Sequence, residues 1–177
     1  TRRRVAFERT VRPFPEVIEG SRIRPRRTGF PFIKALEKDG LSLICEVKRA
    51  SPSKGTIAED FPYLEIAEEY RDAGADAISV LTEPHYFRGR DEYLEEIADS
   101  VDVPVLRKDF VVDEYQIYRA KELGASAVLL IAAVLDDREL EGYRELAESL
   151  GMDALVEAHT REEAERAVSS GAAIVGI

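Results

Sequence analysis

"VPVLRKDFVVDEYQIYRAKELGASAVLLIA", residues 103–132, holds one complete structural unit. An apolar run at 103–110 ends in charged residues, a helical pattern covers 113–123, Gly124 stops it, and a second apolar run begins at once. Glycine directly after a helical stretch accepts the left-handed conformation that ends a helix. Two short apolar runs bracketing a helix read as parallel strands joined by a crossover. The same grammar recurs on both sides of this unit. "GADAISVLT" starts at Gly74, "GMDALVEA" at Gly151 and "GAAIVGI" at Gly171, and "LSLICEVK" (41–48) supplies the first strand. Helical patterns at 63–73, 137–150 and 161–170 precede the glycines. Six strands joined by helices predict an α/β fold with a parallel sheet covered by helices. The repeat length is uneven, which excludes a solenoid.

An open doubly wound sheet and a (β/α)8 barrel both satisfy this alternation. Charged residues decide between them. Glu46 and Lys48, Glu83, Lys108 and Glu157 stand at the carboxyl ends of different strands. In a barrel those ends converge on one mouth, where active sites are built. In an open sheet they spread along an edge. No G-x-G-x-x-G follows the first strand, which weakens a dinucleotide fold. The expected architecture is a TIM barrel of which six strands are present, with residues 1–40 as a basic arm leading into the barrel and 41–177 as strands one to six.

The bulk properties agree with a globular domain. Of 177 residues, 45% are hydrophobic and 34% charged, too apolar for a disordered chain. No apolar run approaches a membrane span, and from the opening Thr1-Arg2-Arg3-Arg4 no secretory leader is expected. Cys45 is the only cysteine, so no internal disulfide is expected, and a reducing cytoplasm fits. Charge is unevenly spread. Residues 1–30 carry nine Arg against three Glu, leaving the remaining 147 residues at −16 of a net −10. An acidic body argues against nucleic-acid binding. The basic arm lacks interleaved aromatics, so a solvated arm or one folded onto an anionic surface is expected instead.

"EVKRASPSKG" (46–55) raises the chemical question. Glu46 and Lys48 alternate along a strand and so share a face, the interior face in a barrel. A carboxylate and an ammonium there must pair or suffer a large desolvation cost. That pair alone fits a structural ion pair as well as a site, but Lys108 and Glu157 add an acid and a base at two further strand ends. "SPSKG" offers the hydroxyls of Ser51 and Ser53 and a glycine for close approach, which also fits an ordinary turn. It lacks the Walker spacing. In "EPHYFRG" (83–89), Phe87 either packs on an aromatic ligand or plugs the mouth. His85 and His159 have no partner at metal-ligand spacing and are given no catalytic role. Cys45 reads as a small core residue.

Assembled, these segments resemble the indole-3-glycerol-phosphate synthase family of tryptophan biosynthesis. The likeness rests on "EVKRASPSKG" at 46–55, "LTEPHYFRG" at 81–89, "VLRKDFVVDEYQIYRAKELGASAVLLIAAVL" at 105–135, "LVEAHT" at 155–160 and "GAAIVGI" at 171–177. It implies a carboxy-lyase that closes, decarboxylates and dehydrates 1-(2-carboxyphenylamino)-1-deoxyribulose 5-phosphate to indole-3-glycerol phosphate. It implies a phosphorylated small-molecule substrate, no nucleic acid, no membrane, and neither metal nor organic cofactor. By the same resemblance Lys108 matches the acid at the ketone oxygen. Glu157 and Lys48 match groups discussed for the proton transfers of dehydration, and Glu46 matches a carboxylate that holds the lysines and a substrate hydroxyl. Phe87, Phe110 and Leu129 match apolar positions around the anthranilate ring, and Ser51 matches a substrate-contacting serine.

The family pattern continues past the sixth strand with an Asn-Asn-Arg segment and two more β/α units, which carry further catalytic residues and a glycine-rich phosphate site. If the chain truly ends at Ile177, the resemblance implies self-association or completion by a second fragment. Two rival readings follow: a non-catalytic fragment of that barrel, and another barrel enzyme acting on a phosphorylated ligand.

Overall fold

The computed structural model describes residues 1–24, 30–57 and 60–177. Six parallel strands form one curled sheet: β1 (Ile44–Val47), β4 (Ala77–Leu81), β5 (Val105–Lys108), β6 (Ala127–Ile131), β7 (Asp153–Glu157) and β8 (Ile174–Gly176), hydrogen-bonded in that order. The order never reverses, so the sheet has no switch point and winds in one direction, as a barrel does. β2 (Ala50–Ser51) and β3 (Gly55–Thr56) make a separate antiparallel hairpin in the loop after β1.

Helices α4 (Tyr63–Asp72), α5 (Asp91–Ser100), α6 (Glu114–Glu122), α7 (Asp137–Ser149) and α8 (Arg161–Ser169) connect the strands. Their starts are capped as the sequence suggests. Asp113 accepts from the Tyr115 amide at 2.9 Å before α6. Asp136 and Glu139 form a reciprocal capping box on α7, at 2.8 and 3.2 Å. Gly74 and Gly124, at φ +89° and +90°, supply the left-handed turn after α4 and α6. The helix α5 is additional to those the periodicity names. It buries Tyr93, Leu94, Ile97 and Ala98 and ends at Val101 in extended backbone, so no glycine marks its end.

Alternation along each strand divides the side chains between two layers. Ile78 and Val80, Val105, Val128 and Leu130, and Ala154 and Val156 face the helices in the main core. Ala77, Leu106, Ala127 and Leu155 face inward and close around Phe32 at the amino-terminal end of the sheet. Phe32 belongs to α3 (Pro31–Leu36), whose first amides, Phe32 and Ile33, donate to the Asp153 carboxylate at 3.1 and 3.2 Å. Burial raises the Asp153 pKa, and those two hydrogen bonds offset part of the rise.

The basic N-terminal segment is helical and folded down. α1 (Arg2–Val11) and α2 (Phe14–Ile23) meet at Pro13 and pack against α6 through Val5, Val17, Phe14, Tyr115 and Tyr118. Its arginines find the carboxylates of the body: Arg4 with Asp109 at 2.8 Å, Arg9 with Asp113 at 3.0 Å, Arg12 with Glu122, and Arg24 with Asp99. The opposite charges of the two regions are therefore complementary across an intramolecular contact. No described helix is long and apolar enough to cross a membrane.

Candidate active site

The inward parity of the strands delivers side chains of different character at their two ends. At the carboxyl end the inward positions are Lys108 on β5, Leu129 and Ile131 on β6, and Glu157 on β7. Together with Leu81, Glu83, Phe87, Asp109 and Phe110 they line a cavity of about 190 Å³. Three carboxylates and one ammonium thus share a chamber whose other lining residues are apolar, a few polar groups in an apolar cleft as small-molecule sites have.

Glu46 links this chamber to β1. Its carboxylate accepts a hydrogen bond from Lys48 on one oxygen, and Lys108 Nζ lies 3.2 Å from the other. One anion between two cations leaves the trio with a net positive charge facing the strand ends. Burial alone would raise the Glu46 pKa, but the bond from Lys48 and the charge of Lys108 outweigh it and hold the carboxyl below its ordinary range. Glu46 therefore stays ionised through the physiological range. The parity argument for Glu46 and Lys48 matches this contact. The reach to Lys108 crosses from β1 over β4 to β5, which the sheet order alone makes possible.

Glu157, at the end of β7, also lines the chamber, and His159 Nε2 lies 3.1 Å from its Oε1. The sequence reading gives His159 no partner at metal-ligand spacing and no catalytic role. The signal was present, since the two residues are two apart at a strand end and so share a side. The loop between them is fixed by α8. Thr160 caps that helix by accepting from the Glu163 amide at 3.1 Å, and Glu163 accepts from the His159 amide at 2.8 Å.

Phe87 and Phe110 form one wall, ring centroids 6.5 Å apart at 47°. Leu129 lines the same chamber. Ser51 stands on the hairpin that follows β1. Its hydroxyl accepts from the Lys54 amide at 3.2 Å within the β2–β3 hairpin and is not among the residues around the chamber. Two acidic residues of the wall are buried: Glu83, 2% exposed, and Asp109, 3% exposed. The sequence marks Glu83 only as a charge at a strand end and gives no sign of Asp109, because an acid after a lysine at a strand end reads as a solvated loop. Among the described residues no three His, Cys, Asp or Glu side chains gather as a metal site needs.

Comparison with known proteins gives this arrangement its relatives. The family model described as indole-3-glycerol phosphate synthase matches residues 1–177. An indole-3-glycerol phosphate synthase of Lacticaseibacillus paracasei is 59% identical over 153 residues, covering 86% of this chain and 59% of the relative. The synthase of Endomicrobium trichonymphae is 50% identical over 177 residues, covering all of this chain and 69% of its own length. That of Ruminiclostridium cellulolyticum is 52% identical over 151 residues, 85% of this chain and 58% of the relative. The chain thus spans between 58% and 69% of the length of these three proteins. With its whole described length matched, the chain belongs to the indole-3-glycerol phosphate synthase family.

Proposed function

We propose that the protein carrying this sequence forms indole-3-glycerol phosphate from 1-(2-carboxyphenylamino)-1-deoxyribulose 5-phosphate, in the cytoplasm and without metal or organic cofactor. The observation that supports this most is the placement of Lys108. It faces a chamber with an aromatic wall, lies 3.2 Å from Glu46, and shares the chamber's lining with Glu157. Ring closure forms a bond between the aromatic carbon bearing the carboxylate and the ketone carbon. The ketone oxygen gains negative charge as this happens, and an ammonium beside it supplies a proton and electrostatic stabilisation. Carbon dioxide then leaves, and its bonding electrons restore the aromatic ring. Dehydration needs one group to protonate the departing hydroxyl and another to take a proton. Glu157 and Lys48 are the acid–base pair for that stage. Phe87, Phe110 and Leu129 receive the planar ring, Glu46 orients the lysines and a substrate hydroxyl, and Ser51 serves as a substrate contact from its hairpin.

The test is Lys108→Ala in the protein that carries this sequence. Losing a general acid costs about 10² to 10⁴ in rate. Turnover of the carboxyphenylamino substrate, followed by indole-glycerol-phosphate fluorescence, should fall by that factor with an unchanged melting profile. Turnover within about twofold of the unsubstituted protein would remove Lys108 from the mechanism.

A further inference from the structure

Glu83 and Asp109 line the chamber but stand outside the lysine–glutamate set, and each is used on the loop that carries one of the two aromatic rings. Glu83 Oε2 accepts from the Tyr86 amide at 2.6 Å, and the Glu83 carbonyl accepts from the Gly89 amide at 2.8 Å. Those two bonds close the turn around Phe87. Asp109 Oδ1 accepts from the Phe110 amide at 2.8 Å and so fixes the backbone from which the second ring projects. Two carboxylates buried side by side need cations, since an unpaired buried charge is strongly unfavourable.

Arg4 of α1 reaches both. Its Nη2 donates to Asp109 Oδ1 and Oδ2 at 2.9 and 2.8 Å, and its Nη1 lies 4.0 Å from Glu83 Oε1. The Arg4 side chain is 10% exposed, so these contacts are sheltered from the screening that weakens surface pairs. Arg107 Nη2 also donates to Asp109 Oδ2, at 3.4 Å. Thr82, whose hydroxyl donates to Asp109 at 3.0 Å, completes its shell. A planar guanidinium has the fork needed to hold two acceptors in fixed relation, which an ammonium lacks.

We infer that Arg4, Glu83 and Asp109 form a positioning unit through which the first helix sets the relative placement of Phe87 and Phe110. The aromatic wall is then not a property of the strands alone. Its two rings sit on separate loops, after β4 and after β5, and one residue from the far end of the chain registers them. What the wall receives rests on the function proposed above. The registration itself does not.

Amide hydrogen exchange tests the unit without any ligand. In the protein carrying Arg4→Met, which keeps the apolar stem and loses the fork, exchange at Tyr86, Gly89 and Phe110 should rise at least ~10-fold, with the amides of β6 and α7 unchanged. With substrate, KM should rise ~10-fold and kcat should fall by a smaller factor, because the wall positions the ring and does not exchange protons. Arg4→Lys keeps the charge and should give the same changes at smaller size. It serves as the reading if Arg4→Met does not fold. Unchanged exchange at the three amides in a folded variant overturns the inference. So does a uniform rise across all amides, which marks a merely structural role. If no variant and no parent turns over the substrate, the functional reading falls while the exchange result still decides the unit.

Discussion

At the scale of the residue, Glu46 tests whether a side chain of the proposed site can govern turnover while adding little to stability. Its carboxylate is 28% exposed and shared by Lys48 and Lys108, themselves 30% and 35% exposed. Pairs of that accessibility contribute about 0–1 kcal/mol. The sign of their pH dependence follows from the lowered Glu46 pKa. The folded state binds fewer protons than the unfolded one, so the stabilisation is complete above the ordinary glutamate value of about 4.3 and is lost as pH falls through the lower folded value. Glu46→Gln should therefore cost at most ~1 kcal/mol at pH 7, and the two proteins should converge in melting temperature as pH falls below the lowered Glu46 value. Turnover should fall far more, by about 10²-fold, because two ammonium groups lose the anion that orients them. A variant with normal kcat would show that the lysines hold their places without Glu46. This pair was legible because a two-residue spacing on a strand fixes a shared face. The contacts of Arg4 with Asp109, 105 positions away along the chain, were not, because nothing local in either segment encodes the other.

At the scale of the element, the turn from β4 into α5 is the most constrained loop of the site. Arg88 holds φ +52°, a left-handed conformation unfavourable for a side-chain-bearing residue, and a Cβ on Gly89 would collide with the Leu81 carbonyl and the Thr82 backbone. The chain crosses its own strand at Gly89 with no room for a methyl group. Gly89→Ala must push backbone rather than a flexible side chain, so a cost of ~1–3 kcal/mol is expected. Because the Gly89 amide is one of the two bonds closing the turn around Phe87, KM should rise as well. Asp136→Ala is the contrast. It removes the α7 capping box for ~1 kcal/mol and should leave KM and kcat unchanged, since Asp136 is not among the residues that line the chamber. Denaturant unfolding with steady-state kinetics on both variants separates the two cases. If Gly89→Ala loses stability alone, the turn does not govern the wall. The same elements show what the sequence could and could not convey. Helices that end in glycine announce their own ends. The helix α5 ends at Ser100 with Val101 as an extended cap and has no such mark, although Tyr93, Leu94, Ile97 and Ala98 give it a buried stripe. The N-terminal helices were hidden for another reason. Their charge dominates the composition, and the carboxylates that neutralise it lie on other elements.

At the scale of the whole molecule, the sheet order and the exposure of its edges carry one more expectation. Among the described residues β1 pairs only with β4, and β8 only with β7. A closed barrel has no edges, because its first and last strands pair. The two edges here differ in what they offer. Leu43 and Ile44 at the start of β1 are 55% and 40% exposed, and Ile177 after β8 is 94% exposed, while Glu46 and Lys48 bring charge to the other end of β1. Unpaired backbone beside apolar side chains is a template for pairing with another chain, and charge on an edge only partly discourages it. The inner layer adds to this, since Phe32 packs on Ala77, Leu106 and Ala127 from one side only of the curled sheet. A polypeptide of residues 1–177 purified alone should therefore sediment as a species larger than one chain. Adding a peptide or fragment that supplies further strands should return it to a defined stoichiometry. Its indole-glycerol-phosphate production should be far below that of a complete synthase, because ring closure depends on holding the whole substrate, and such positioning is worth up to ~7–11 kcal/mol. Sedimentation velocity and the fluorescence assay on one preparation decide the matter. A monodisperse monomer with full turnover would mean that six strands bury their edges and hold the substrate unaided.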